Sequence, residues 1–258
     1  MSGSGYDQSV TTYSPDGKMF QVEYAQKAVE NSGSAIGVRC TDGIVLGVEK
    51  LVISKMLVPG SNRRVHSVDD HIGVAVTGLA GDCRMLVKRA RDECRSYRQN
   101  FGEPIPGRML AERMAGYMHV FTSYWFYRPV GATIVIACYD REAGTHELYM
   151  AEPNGELARY FGVATGKGVR SSKTEIEKLK VSDKTCREAL GFVAKILNIT
   201  HDDSKDKPFE LELSWVCEET GWRHEAVPDA TRDEASAWAK AQLEAEEMGS
   251  SDDEDDSD

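Results

Sequence analysis

The sequence predicts an α+β domain of four layers: two antiparallel sheets packed face to face, with helices covering both outer faces. Three observations predict it. Blocks of short β-rich runs alternate with helix pairs, in the order strands, two helices, strands, two helices, strands, helix. Hairpin turn signals separate neighbouring runs, as antiparallel pairing requires. The 258 residues suffice to bury such a core as one domain, and no repeat of 20 to 50 residues divides them.

The elements follow in order. Ser14-Pro15-Asp16-Gly17 has turn chemistry, Pro presetting φ and Gly free to take φ > 0. The stretch after it, through Val29, reads as a helix. At ~100° per residue, Phe20, Val22, Tyr24, Ala25, Ala28 and Val29 cover an arc of about 200°, twice the stripe of roughly 100° that one burial partner demands. The excess calls for a second partner. SAIGVRC and IVLGVEK flank Thr41-Asp42-Gly43, a hairpin whose strands are apolar enough to be buried on both faces. RRVHSV and IGVAVTG form a second hairpin about Asp69-Asp70-His71. A long helix then places Val87, Ala90, Cys94 and Tyr97 on one face, with Asp82 as its N-cap. After Glu103–Gly107, another places Leu110, Met114, Tyr117 and Phe121 at the same spacing. VGATIVIACYD, THELYMAE and GELARYFGVA read as strands, the last two joined by a turn at Pro153-Asn154-Gly155. Helices are expected through KTEIEKLK and TCREALGFVAKIL. FELELSWVC alternates apolar and polar residues and so predicts a strand with one buried face. Pro228 precedes a last helix.

Composition narrows the class. At 41% hydrophobic and 28% charged residues, the chain is ordinary for a globular protein, and no apolar run nears the ~18 residues of a membrane span. The opening residues lack the pattern of a secretory or transit segment, so cytoplasm and nucleus are the expected compartments. The net charge of -11 is concentrated at the end, where Glu244, Glu246, Glu247 and six acids from Asp252 to Asp258 carry no basic residue among them. The body without those nine is near -2. Residues 249–258 are expected as a disordered acidic tail, 13–248 as the domain and 1–12 as a flexible front segment.

No catalytic motif stands out. Gly162–Lys167 is one residue short of a P-loop, and Gly166-Lys167-Gly168 reads as strand-to-helix geometry. The six histidines show no metal-ligand spacing, and His201 is expected as a solvated loop residue. The six scattered cysteines read as free buried thiols. Arg84, Lys88, Arg91, Arg95 and Arg98 make a basic stripe, but no aromatic residues interleave with it, so a solvated face or an acidic partner is expected, not nucleic acid.

The opening stretch is more specific. Tyr6-Asp7, Tyr13 to Gly17, Phe20-Gln21-Val22-Glu23-Tyr24-Ala25 and Ala28-Val29 together resemble the signature of proteasome alpha subunits. The likeness continues at Gly43, Gly78-Leu79, Arg128-Pro129 with Gly131, and Gly166-Lys167-Gly168. KAVENSGSAIG, GVEKLVISKM, KPFELELSWV and the acidic end most resemble one of the distinct alpha types of eukaryotes.

That resemblance implies the N-terminal-nucleophile hydrolase fold, the four-layer sandwich already read from block order. It implies a non-catalytic place in a heteroheptameric ring with other alpha subunits, against a ring of beta subunits that carry the proteolytic threonines. Catalytic relatives use an N-terminal Thr whose free amine is the base; here that position falls near Gly33 and Ser34, inside the chain. A Lys and an Asp of the catalytic members fall near Arg64 and Glu49, so both differ. Tyr6, Asp7, Pro15 and Tyr24 match the cluster that holds the family's gate open, whereas Gln8 stands where most alpha subunits have Arg, which implies a weaker part in closure. Arg64, close to Gly78, matches the pocket in which activators and the regulatory ATPase particle dock their C-terminal carboxylates. Ser250 and Ser251 have an acid three residues on, as acid-directed kinases prefer. No cofactor, metal, membrane or nucleic acid is expected. The reading from another class is an autoprocessed threonine peptidase of the beta type.

Overall fold

The structure, a computed structural model, describes residues 5–180, 183–201 and 207–252. In chain order the elements are α1 (Phe20–Glu30), β1 (Ala35–Arg39), β2 (Gly43–Leu51), β3 (Val65–Asp69), β4 (Ile72–Gly78), α2 (Ala80–Phe101), α3 (Gly107–Ser123), β5 (Ala132–Asp140), β6 (Thr145–Ala151), β7 (Leu157–Tyr160), β8 (Gly162–Thr165), α4 (Val169–Lys178), α5 (Cys186–Thr200), β9 (Phe209–Cys217), β10 (His224–Ala226) and α6 (Asp229–Asp252). They build two five-stranded antiparallel sheets, ordered β10-β9-β2-β1-β8 and β3-β4-β5-β6-β7.

Alternation along single strands assigns the layers. On β5, Ile134, Ile136 and Cys138 pack with Leu86, Leu110 and Met114 of α2 and α3, while Val135 and Ala137 turn to the opposite sheet. On β2, Ile44, Leu46 and Val48 join that inter-sheet core, and Val45 faces Leu190 and Val193 of α5. Three cores therefore separate four layers, and a strand buried on both faces reads as an apolar run. Helix ends follow local chemistry. Thr185 caps α5 through a reciprocal box with Glu188, and Gly102 ends α2 at φ 79°.

Three sequence expectations change. GELARYFGVA is two strands, because the chain leaves one sheet at Tyr160 and enters the other at Gly162, with Phe161 exposed between them and its carbonyl accepting from Arg39 N–H at 2.8 Å. β9 does not alternate in burial: Phe209 to Glu212 are all half-buried, and from Leu213 to Cys217 every residue is buried, since the inter-sheet core and α5 cover both faces. Asp82 does not cap α2: Leu79 is the N-cap, and the Asp82 carboxylate turns to Arg128 and Gly131.

The front helix forms as read. Ala25 and Val29 are buried and α1 lies against β4 and β5, while Tyr24 is 43% exposed and stacks on Phe20, centroids 6.3 Å apart. One part of the wide apolar arc is thus covered within the chain. Of the acidic end, 249–252 continue α6, and 253–258 lie outside the described residues. Among the described residues, no helix is long and apolar enough to cross a membrane.

Candidate functional site

Three neighbourhoods bear on function: the front segment, the cleft where β1 begins, and the turn that joins β4 to α2.

The front segment is pinned at a few points. Val10 is buried, the Asp7 carbonyl accepts from the Gln21 side chain, and Ser14 N–H donates to Lys18 O at 2.9 Å across the turn, where Gly17 has φ 74°. These anchors leave Tyr6 and Pro15 exposed, like Tyr24. Met1–Ser4 lie outside the described residues.

At the start of β1 the chain is locked on every side. Gly33 lies so close to β2 that an added Cβ would sit 2.1 Å from Glu49 O. Ser34 is buried, and its amide N–H donates to Glu49 Oε2 at 2.9 Å. Its hydroxyl accepts from Gly168 N–H at 3.1 Å, and Lys167 N–H donates to Ser32 O at 3.0 Å. Gly166, at φ 95°, brings this loop against Gly33 and Ser34, so the Gly-Lys-Gly segment is strand-to-helix geometry that also clasps the front of β1. The second Glu49 oxygen lies 2.7 Å from His201 Nδ1. This corrects the solvated-loop reading of His201, whose side chain is buried and packs on Phe209, centroids 4.7 Å apart. A Ser, a Glu and a His meet here. Yet the imidazole is bound to the carboxylate, the hydroxyl accepts a backbone N–H, and an amide nitrogen has no basic lone pair.

At the β4–α2 turn, the Arg64 guanidinium donates to Gly78 O at 3.1 Å and lies 3.2 Å from Cys83 Sγ. Burial raises the Cys83 thiol pKa, against the pull of Arg64. The sequence pair Arg64 and Gly78 is therefore one local cluster. Gly78, at φ 115°, abuts Gly131, and a Cβ there would be 2.2 Å from Gly131 O. Both sides of this contact are held by a clasp that the sequence reading missed. Asp82 accepts from Arg128 Nη1 and Nη2 at 2.7 and 2.8 Å and from Gly131 N–H at 2.8 Å. Those Arg128 bonds hold the carboxyl below its usual 3.8 despite partial burial. The signal that could have found it is the pairing of Asp82 with Arg128-Pro129.

The basic stripe is partly engaged: Arg91 donates twice to Ser67 O at 3.1 Å and Arg98 pairs with Asp69 at 2.7 Å, latching α2 to β3. All six cysteines are free and buried. No three metal-ligating side chains are arranged to hold an ion among the described residues. Ser250 and Ser251 lie in the last turn of α6; their side chains, and the acids Asp253 and Glu254, lie outside the described residues.

Comparison with known proteins agrees with this architecture. The family described as "Proteasome subunit" matches residues 29–216, and the N-terminal signature of A-type proteasome subunits matches residues 6–28. A Spinacia oleracea relative, named as a proteasome alpha type-3 subunit, is 56% identical over 242 residues, covering 94% of this chain and 96% of its own length. One of the same name from Acanthamoeba castellanii is 55% identical over 245 residues, 95% and 96% of the two chains. A Saccharomyces cerevisiae relative, named as a probable proteasome alpha type-7 subunit, is 44% identical over 249 residues, 95% and 86%. With both regions matched and more than half of the residues identical across nearly the full length, the chain belongs to the proteasome alpha-subunit family and is most similar to its alpha type-3 class.

Proposed function

We propose that the chain is a structural and gating subunit of the outer alpha ring of the proteasome core particle, without peptide-hydrolysing chemistry of its own. In this reading it controls substrate entry to the proteolytic chamber and docks regulatory particles in ubiquitin-dependent protein degradation. The observation that carries it is Ser34. At the place where catalytic relatives expose a nucleophile with a free amine, the nitrogen is a buried amide donating to Glu49 and the hydroxyl is engaged by Gly168.

Its partners are other alpha subunits on either side and beta subunits in the adjacent ring. The rest of the α1 arc, half-buried at Phe20 and Val22 and exposed at Tyr24, is the second surface that such a neighbour would cover. Tyr6, Asp7, Pro15 and Tyr24 form the gate cluster: Tyr6, Pro15 and Tyr24 face outward on anchored backbone and Asp7 is half-buried, an arrangement suited to clustering with a neighbouring protomer. Arg64 and Gly78 bind the C-terminal carboxylate of activators, Arg64 retaining N–H groups beyond those facing Gly78 and Cys83. Ser250 and Ser251 are phosphorylation sites that would add about -1.5 to -2 charges each. The compartment is cytoplasm and nucleus.

Intact-mass measurement on the purified particle tests the central claim. A mature chain that retains the residues before Gly33 is the expected result; one beginning at Gly33 or Ser34, with hydrolytic activity of its own, would identify a peptidase of the beta type.

A further inference from the structure

One peptide unit at the β4–α2 turn is gripped at both ends. Its carbonyl, Gly78 O, accepts from Arg64 Nη1 at 3.1 Å, and its amide, Leu79 N–H, donates to Gly131 O at 2.9 Å. The unit is planar, so the direction of one end sets that of the other. Where Gly131 O sits therefore decides where Gly78 O points, and with it where the Arg64 guanidinium lies.

Gly131 is itself held from the helix that the turn leads into. Its N–H donates to Asp82 Oδ2 at 2.8 Å, while Arg128, on the same segment, closes on both Asp82 oxygens at 2.7 and 2.8 Å. Asp82 stands in the first turn of α2, where Cys83 N–H donates to Leu79 O at 2.9 Å. The hydrogen bonds close a ring: Leu79 to Gly131, Gly131 to Asp82, and Asp82 back through the helix turn to Leu79. A glycine pinned at both its N–H and its carbonyl loses the backbone freedom that would let that carbonyl swing. The backbone of Arg64 is anchored separately, since Glu212 accepts from the Arg64 and Val65 amides at 2.8 and 3.1 Å. Its guanidinium meets only this ring, at Gly78 O and, 3.2 Å away, at Cys83 Sγ beside Asp82.

We propose that Asp82 is a positioning residue for the binding, at Arg64, of chains that end in a free carboxylate, acting through Gly131 and the Gly78–Leu79 peptide; this rests on the reading of Arg64 and Gly78 as the docking pair. A guanidinium recognises a carboxylate by geometry, two N–H groups meeting two oxygens. A fork already held in place binds without first giving up its rotamers. Arg64 is half-buried and Leu79 exposed at the rim, so a chain end can approach them. The Asp82 side chain is only 10% exposed and both its oxygens are engaged, so it acts on such a ligand through the ring alone.

The test uses the full chain in its assembled particle and a short benzophenone-bearing peptide with a free C-terminal carboxylate, compared with its C-terminal amide. Light-induced label on this chain, read by mass spectrometry against peptide concentration, reports this pocket apart from those of other subunits. Asp82→Ala should raise the half-saturating concentration about three- to tenfold, the fold-change of having one more side chain to immobilise on binding, with the label at saturation unchanged. Asp82→Asn, which keeps an oxygen for the Gly131 N–H, should recover most of that affinity. Thr185→Ala, a destabilising change in the opposite helical layer, should not shift it. If Asp82→Ala does not assemble, Arg128→Gln, which opens the other side of the clasp, should show the same rise. Wild-type half-saturation in these clasp variants while Arg64→Met abolishes labelling, or an equal shift in Thr185→Ala, overturns the positioning role alone. Equal labelling by acid and amide, no label on this chain, or indifference to Arg64→Met overturns the docking reading and the proposal with it.

Discussion

Asp82 shows how much one carboxylate can hold. It fastens Arg128 and Gly131 N–H and so fixes the neighbourhood of Gly78 and Leu79. Asp82→Ala leaves that N–H unpaired and the guanidinium with only Pro129 O, and a loss of ~1–3 kcal/mol is expected in denaturant unfolding. Because Arg128 depresses the folded-state pKa below 3.8, the contribution is present above that pH and is lost as pH falls through the folded value; the variant should therefore show a shallower acid limb. His224 acts at higher pH. Burial, with a smaller push from His66, lowers its pKa to about 4, so between roughly 6.5 and 4 the unfolded chain binds a proton that the folded chain refuses. His224 should lower stability by on the order of 3 kcal/mol across that window, and His224→Gln should make the slope shallower, leaving what His66 and His146, also lowered by burial, contribute. Gly33→Ala should cost ~1–3 kcal/mol, since its Cβ would meet a backbone oxygen that cannot swing aside.

Among the elements, α5 rests on its cap and its packing. Thr185→Ala removes the hydroxyl that accepts from Glu188 N–H, while the backbone N–H at that position keeps the Glu188 carboxylate, and a loss of about 1 kcal/mol in thermal or denaturant unfolding is expected. Leu46→Ala on β2 opens a cavity between the sheets, where collapse is opposed from both sides, and should cost about 2–5 kcal/mol. Elements of this kind were legible in the sequence because local chemistry decides them: the Asp42-Gly43 hairpin, the turn before α1 and the apolar faces of α2 and α3 all form where their residues ask. The break at Phe161 was not legible. Both β7 and β8 favour extended backbone, and only the partners, β6 for one and β1 for the other, separate them. The same holds for the fully buried half of β9, whose polar Ser214 imitates an exposed position.

For the whole molecule, four layers were readable from block order, because each pair of helices must cover a sheet face. The site was readable only in part. Arg64 and Gly78 were paired in advance and lie 3.1 Å apart. The Ser34–Glu49–His201 cluster draws on β1, β2 and the end of α5, and no spacing in the chain announces it. The proposed gate makes a prediction at this scale. Restoring the missing charge with Gln8→Arg should lower the basal peptide hydrolysis of the assembled particle, while Tyr24→Ala should reduce its stimulation by activators; equal rates in all three particles would separate this front segment from entry control. One detail at Ser34 reaches further. Suppose the backbone were cut before it. The newborn ammonium would find Glu49 Oε2 2.9 Å away and be captured as an ion pair, its proton held more tightly than in water. Trimming by itself would therefore yield a poor base, because the neighbouring carboxylate would keep that amine protonated.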